Sequence, residues 1–196
     1  MKLDIKLSGV GGQGILSIAT VIGEAATAAG LQLKQAEVHG MSQRGGDVQS
    51  DMRLSTDAIC SDLIPLGQAD LIISMEPMEA LRYLPYLAAD GAVVTSSQPF
   101  VNIPNYPDAS ALLAELDALP HVVRADIETL AREHGMPKSA NMILLGMAAP
   151  SLKLLLDAEQ LRGAIARIFA RKGEAIVNAN LEAFELGLAH AQSVNQ

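Results

Sequence analysis

Apolar positions along the chain switch between a period of two and a period near 3.6, and the switching lays out an alternation of strands and helices. Leu3, Ile5 and Leu7 recur at every second position and predict a strand over residues 3–8. Ile15, Leu16, Ile18, Ala19, Ile22, Ala25, Ala26 and Ala29 then form an apolar stripe at helical spacing. That stripe predicts a helix over 13–29, stopped by Gly30. Residues 31–38 alternate weakly as a second strand, and this strand–helix–strand opening predicts two parallel strands joined by a right-handed crossover. In 47–54, Val48, Ser50, Met52 and Leu54 alternate with Gln49, Asp51 and Arg53, the pattern of a half-exposed strand that is antiparallel or at an edge.

The short apolar run over 70–74 suits a buried parallel strand. Glu76-Pro77 opens a helix with Met78, Ala80, Leu81, Leu84 and Leu87 on its inner side, which Pro85 should kink or end. A strand over 92–95 leads into Ser96-Ser97-Gln98-Pro99 and a Pro-rich excursion through Pro104 and Pro107. Residues 110–135 read as helix, strand (121–125) and helix, punctuated by Gly135 and Pro137. Helical stretches follow over 140–156, interrupted by Pro150, then over 158–170 and 173–191, the last with Ile176, Phe184 and Leu188 as its packing face. The expected architecture is α/β: a Rossmann-like, open, mostly parallel sheet flanked by helices, with a helical C-terminal segment over about 140–191 packed on it. Residues 1–196 read as one domain without repeat or linker.

Composition narrows the chemistry. The chain is 49% hydrophobic but 3% aromatic, so its core must be aliphatic. A formal charge of −8 argues against a nucleic-acid surface, which needs clustered Lys and Arg, and no polybasic run points to an anionic membrane. Cys60 stands alone and cannot form a disulfide framework, a multi-cysteine zinc site or a cysteine-ligated iron–sulfur cluster within the chain. That usage, with no secretory leader pattern and no apolar window of about 18 residues, predicts a soluble, cytoplasmic protein. His121, His134 and His190 have no second ligand at metal spacing and read as structural or exposed.

Two stretches carry candidate chemistry. In Gly9-Val10-Gly11-Gly12-Gln13-Gly14, four glycines follow a strand and open a helix, so amide N–H groups and the positive helix end face whatever lies over the turn. An anion or a polar segment of a partner suits that cradle. The spacing fits the dinucleotide fingerprint, while the lack of Lys-Ser/Thr after Gly14 excludes a Walker loop. Glu37 stands 23 residues beyond Gly14, where a nicotinamide-binding protein places its ribose carboxylate. An NAD(P)-dependent dehydrogenase is therefore one alternative, and a non-catalytic Rossmann-type interaction module is another. The second stretch is Glu37-Val38-His39-Gly40-Met41-Ser42-Gln43-Arg44-Gly45-Gly46, at the end of a strand, with donors and a charge from His39, Gln43 and Arg44. Nothing pairs His39 with a nucleophile or a metal partner.

These two stretches, with Ala69-Asp70, Glu76-Pro77 and Ala80-Leu81, closely resemble the gamma component of the 2-oxoacid:ferredoxin oxidoreductase family. The Glu37–Gly46 segment and Ser97-Gln98-Pro99 are most similar to the branch of small beta subunits of indolepyruvate:ferredoxin oxidoreductases. The resemblance runs from Lys2 to about Leu188. It implies a non-autonomous subunit of a thiamine-diphosphate-dependent complex that oxidises a 2-oxoacid, with an aryl pyruvate such as indolepyruvate first, to acyl-CoA and CO2 and passes electrons to ferredoxin. It implies that thiamine diphosphate, Mg2+ and [4Fe-4S] clusters belong to a large catalytic partner, that CoA is a co-substrate, and that the isolated chain is inactive. Gly46-Asp47-Val48 departs from the Gly-Asp-Gly start of a thiamine signature at its third position. Under this resemblance Gly9, Gly11, Gly12, Gln13, Gly14, His39, Gln43, Arg44, Gly45 and Gly46 are partner- or CoA-facing, and no residue is assigned catalysis or a metal. Self-association of the isolated chain through faces meant for the partner is a further expectation.

Overall fold

A computed structural model describes residues 1–39, the His39 side chain excepted, and 45–194. Gly40, Met41, Ser42, Gln43 and Arg44 lie outside the described residues. The strands are β1 (Lys2–Val10), β2 (Gln32–His39), β3 (Asp47–Ser55), β4 (Ala69–Ser74), β5 (Leu87–Ser96) and β6 (Val122–Ala125). The helices are α1 (Ile15–Ala28), α2 (Pro77–Arg82), α3 (Ala109–Asp117), α4 (Ile127–Glu133), α5 (Ala140–Leu152), α6 (Ala158–Phe169) and α7 (Glu174–Val194). Pro85 acts as expected: α2 stops before it, and a single 3-10 turn at Leu84–Tyr86 hands the chain to β5.

The described strands form one six-stranded sheet in the order β2-β3-β1-β4-β5-β6. β1, β4, β5 and β6 pair in parallel, while β3 is antiparallel to both β1 and β2. β1 and β2 therefore run the same way, as the opening strand–helix–strand pattern predicts, but β3 lies between them. Of the two settings expected for β3, antiparallel or at an edge, the first holds; the strand is interior and mostly buried rather than half-exposed, and β2 is the outer strand. The polar positions of β3 are covered by partners from elsewhere in the chain. Lys6 and Asp51 face each other across the β1–β3 ladder, both buried, with Nζ 2.6 Å from Oδ1. The Asp51 Oδ2 accepts the Ile64 amide at 3.0 Å, and the Lys6 ammonium sits 4.7 and 4.3 Å from the ring centres of Tyr83 and Tyr86.

Alternation along the central strands sorts the two faces. Leu71, Ile73 and Val94 join the larger core with α1, α4, α5, α6 and α7. Ile72 and Val93 point the other way, to Ala80, Tyr83 and Leu116 of the α2–α3 side. α5 is buried on nearly all sides because the sheet covers one flank and α7 the other. Gly146 and Gly187 make that crossing tight: a Cβ at Gly146 would stand 2.0 Å from the Phe184 carbonyl oxygen, and one at Gly187 1.9 Å from that of Ile143. Phe184 is fully buried, but Ile176, expected on the same packing face, is 43% exposed. Among the described residues no helix is long and apolar enough to cross a membrane.

Candidate functional site

The glycine turn lies where β1 meets α1, at the carboxyl edge of the parallel strands. Gly12 and Gly14 have φ of +103° and +87°, a backbone region that strains any side chain, so these positions require glycine. Gly14 caps α1 without a side-chain hydrogen bond, and its carbonyl accepts the Ser17 amide at 3.1 Å. Gln13 staples the turn from within: its Oε1 accepts the Val10 amide at 2.8 Å and its Nε2 donates to the Met75 carbonyl at 3.2 Å. Gly9 is needed for close approach, since a Cβ there would meet Met75 Cβ at 3.1 Å and Gln13 Oε1 at 3.2 Å.

The two predicted loops meet. The Gly11 amide donates to the Gly46 carbonyl at 2.8 Å, and the Gly45 amide donates to the Gly11 carbonyl at 3.3 Å, extending the β1–β3 ladder past Val10 and Asp47. This corrects one expectation about the cradle. The amides of Gly11 and Gln13 do not point to a ligand, because they bond to Gly46 and Val10 within the chain. Gly12 keeps the open side of the turn, while the Asn141 side chain covers Gly14. His39 pairs with Val48 at the end of β2, at the same edge.

A second set of polar groups gathers beside the turn, from α2 and the segment after β5. Glu76 is completely buried at the N-terminus of α2. Its Oε2 accepts the Glu79 amide at 2.8 Å, and its Oε1 accepts the Phe100 amide at 3.3 Å and the Tyr106 hydroxyl. Burial and the adjoining Glu76 carboxylate hold the Tyr106 phenol protonated well above its ordinary range. Asn102 Nδ2 donates to the Gly45 carbonyl at 2.6 Å, so the segment after β5 also grips the mouth of the β2–β3 hairpin. Beneath, the Tyr83 hydroxyl donates to both Asp47 oxygens at 3.2 and 2.9 Å. Glu79 is pushed up to about 7 by burial, against the pull of its Arg82 ion pair at 2.9 Å, with Asp47 adding a like charge.

An open cleft of about 500 Å³ runs beside the turn, lined among others by Gly12, Gln13, Phe100, Glu128, Lys138 and Asn141. Burial raises the Glu128 carboxyl, which accepts the Ser96 hydroxyl at 3.0 Å. Asn141 Nδ2 donates to the Gly14 carbonyl at 3.1 Å. A second hollow of about 410 Å³ continues from Ser17 and Lys138 toward Phe169, Lys172 and Ile176. Among the described residues no group of three or more His, Cys, Asp or Glu side chains is placed to hold a metal ion.

Of the residues singled out in the sequence, Gly9, Gly11, Gly12, Gln13, Gly14, Gly45 and Gly46 are brought together, with the backbone of His39 at the same edge; Gln43 and Arg44 fall outside the described residues. Glu37 accepts from Gln35 Nε2 at 2.9 Å and pairs with Ser50 on β3, which separates it from the turn by a full strand. Sequence reading missed Glu76, Glu79, Asp47, Tyr83 and Tyr106 as one cluster. The one available signal was Glu76-Pro77, whose carboxylate opens a helix directly after a buried strand.

The family model for pyruvate ferredoxin/flavodoxin oxidoreductase matches residues 4–190. The chain is 36% identical to the indolepyruvate oxidoreductase subunit IorB of Thermococcus kodakarensis, covering 98% of each chain. Among solved structures, the gamma subunit of the keto/oxoacid ferredoxin oxidoreductase from Geobacter sulfurreducens superposes with a TM-score of 0.68 at 26% identity, over 97% of this chain and 99% of that one. The 2-oxoglutarate:ferredoxin oxidoreductase of Magnetococcus marinus, with 2-oxoglutarate, coenzyme A and succinyl-CoA bound, shares the fold at a TM-score of 0.75 and 23% identity, over 98% of this chain and 31% of that one. With its family match spanning nearly the whole sequence and its glycine turn locked to the hairpin mouth, the chain belongs to the pyruvate ferredoxin/flavodoxin oxidoreductase family.

Proposed function

We propose that the chain is the non-autonomous small subunit of a thiamine-diphosphate-dependent 2-oxoacid:ferredoxin oxidoreductase acting on an aryl pyruvate such as indolepyruvate. The observation that carries this reading is the carboxyl edge itself: two glycine loops are hydrogen-bonded to each other beside an open cleft. The carboxylates around that edge hold loops in place rather than facing a reacting centre. Full-length similarity to IorB supports the substrate class.

The donor set bears on where the cofactors belong. A single cysteine cannot supply four thiolates, and no group of three or more His, Cys, Asp or Glu side chains among the described residues is placed to hold a metal ion. Thiamine diphosphate, which supplies carbon–carbon cleavage when bound, and the [4Fe-4S] clusters are assigned to the large partner subunit. This chain's part is to dock and orient. The open side of Gly12, the N-terminus of α1 without a side-chain cap, and Lys138 suit an anionic group such as a CoA phosphate. The resemblance gives His39, Gln43, Arg44, Gly45 and Gly46 the same partner- or CoA-facing role, for Gln43 and Arg44 on the sequence alone. Residues 1–196 then act as one gamma-type domain in the cytoplasm, and ferredoxin is reached through the complex.

Reconstitution tests this. The purified chain should show no 2-oxoacid oxidation alone and should restore CoA-dependent ferredoxin reduction when mixed with the large subunit. Turnover by the isolated chain, or no gain on mixing, would remove the proposal.

A further inference from the structure

The end of β5 and the segment after it combine an uncharged sequence with an anchored apolar loop. From Gly91 to Pro107 the sequence holds no charged residue, in a chain of net charge −8. Within that stretch Phe100, Val101 and Ile103 are 42, 71 and 37% exposed, an apolar ridge on an irregular loop. The loop is nevertheless fastened from inside. The buried Glu76 carboxylate takes the Phe100 amide and the Tyr106 hydroxyl, and Asn102 reaches the Gly45 carbonyl between them. One Glu76 oxygen caps α2 through the Glu79 amide, and the other is given over to this loop, at Phe100 and Tyr106.

We infer that Glu76 is a positioning residue, whose clasp on Phe100 and Tyr106 holds the Phe100–Ile103 ridge as an apolar docking surface for the large catalytic subunit. The inference rests on the reading of the chain as a small subunit and extends it to a specific contact. One observation bears on the occupant and a second on the kind of contact. Phe100 lines the cleft beside the glycine turn, so a body seated over that edge also covers the ridge. Uncharged composition with an aromatic and branched aliphatics matches the core of a protein interface rather than its rim. The matching surface on the partner is therefore apolar and uncharged. Holding the ridge in one conformation before contact reduces the ordering cost of association.

The test uses the reconstituted complex, titrating this chain against a fixed amount of large subunit and reading ferredoxin reduction. Val101→Asp changes an exposed side chain and Tyr106→Phe removes one arm of the clasp; Glu76→Gln is a third variant if it folds. Val101→Asp and Tyr106→Phe should each raise the concentration of chain needed for half-maximal rate by roughly tenfold. The rate at saturation should stay near wild type in both, and so should the Tm of free Val101→Asp. Amide exchange over 98–106 should quicken in Tyr106→Phe alone. Wild-type titration curves for both variants would overturn the inference. A weakened Val101→Asp with an unchanged Tyr106→Phe would leave a docking ridge but refute positioning by Glu76. If the wild-type chain itself fails to restore activity, the small-subunit reading has failed instead, which this control separates from the rest.

Discussion

Glu79 is the residue at which the carboxyl edge should respond to pH. Its folded-state value is near 7, against an ordinary 4.5, because burial and Asp47 outweigh Arg82. A group raised in the folded state contributes stability fully below its unfolded value and loses it as pH rises through the folded one. Stability from Glu79 is therefore present below about 4.5 and is lost toward and beyond about 7. Glu79→Gln, which removes that charge, should raise Tm by roughly 3 °C near pH 8 and leave it unchanged near pH 5 in thermal melts. A variant less stable at both pH values would show the Arg82 ion pair to be the stronger contribution. The glycines of the turn were legible in the sequence because each answers to local backbone geometry. Glu76 with Tyr106 and Asp47 with Tyr83 were not, because the partners are 30 and 36 residues apart and meet only once the sheet has formed.

Pairs of elements show where packing overrides local preference. Alanine is the better helix former, so on propensity alone Gly187→Ala should stabilise α7 by about 1 kcal/mol. The crossing with α5 reverses the sign, because the new Cβ meets backbone that cannot move aside. A loss of about 3 kcal/mol or more, roughly 10 °C in Tm, is expected from calorimetry. The β1–β3 ladder carries a similar constraint in its buried ion pair. Asp51→Ala leaves the Lys6 ammonium buried without its carboxylate and should cost about 3–5 kcal/mol in urea unfolding. The double change Lys6→Met with Asp51→Leu should cost clearly less. Most helices and strands followed the periodicity, with Gly30 just past the end of α1, but Pro150, expected to interrupt its helix, lies inside α5, and β5 begins at Leu87 rather than at 92. The setting of β3 departed too. Polar residues at alternate positions read as solvent-facing, while Lys6, Arg53 with Asp4, and the Ile64 amide supply buried partners from distant parts of the chain.

At the scale of the molecule, sheet order decides between rival readings that share a motif. Dinucleotide binding through the fingerprint needs the second strand beside the first, so that its acidic end reaches the ribose. Here β3 occupies that place, and Glu37 is two ladder spacings from β1, roughly 10 Å instead of 5 Å. Calorimetric titration with NAD and NADP should give no heat of binding; a signal abolished by Glu37→Ala would reinstate the dehydrogenase reading. The glycine spacing alone could not separate the two, because it reports the turn and not which strand lies next to it. The interposed strand also has a kinetic consequence. β2 and β3 are neighbours in sequence and can zip together early, whereas β1 must wait for a partner some fifty residues downstream. A hairpin arriving one residue out of step would bring Met52 or Ser50 opposite Lys6, stranding the ammonium in an apolar interior. The buried charge pair thus penalises a misthreaded sheet and favours the one register in which both charges are paired.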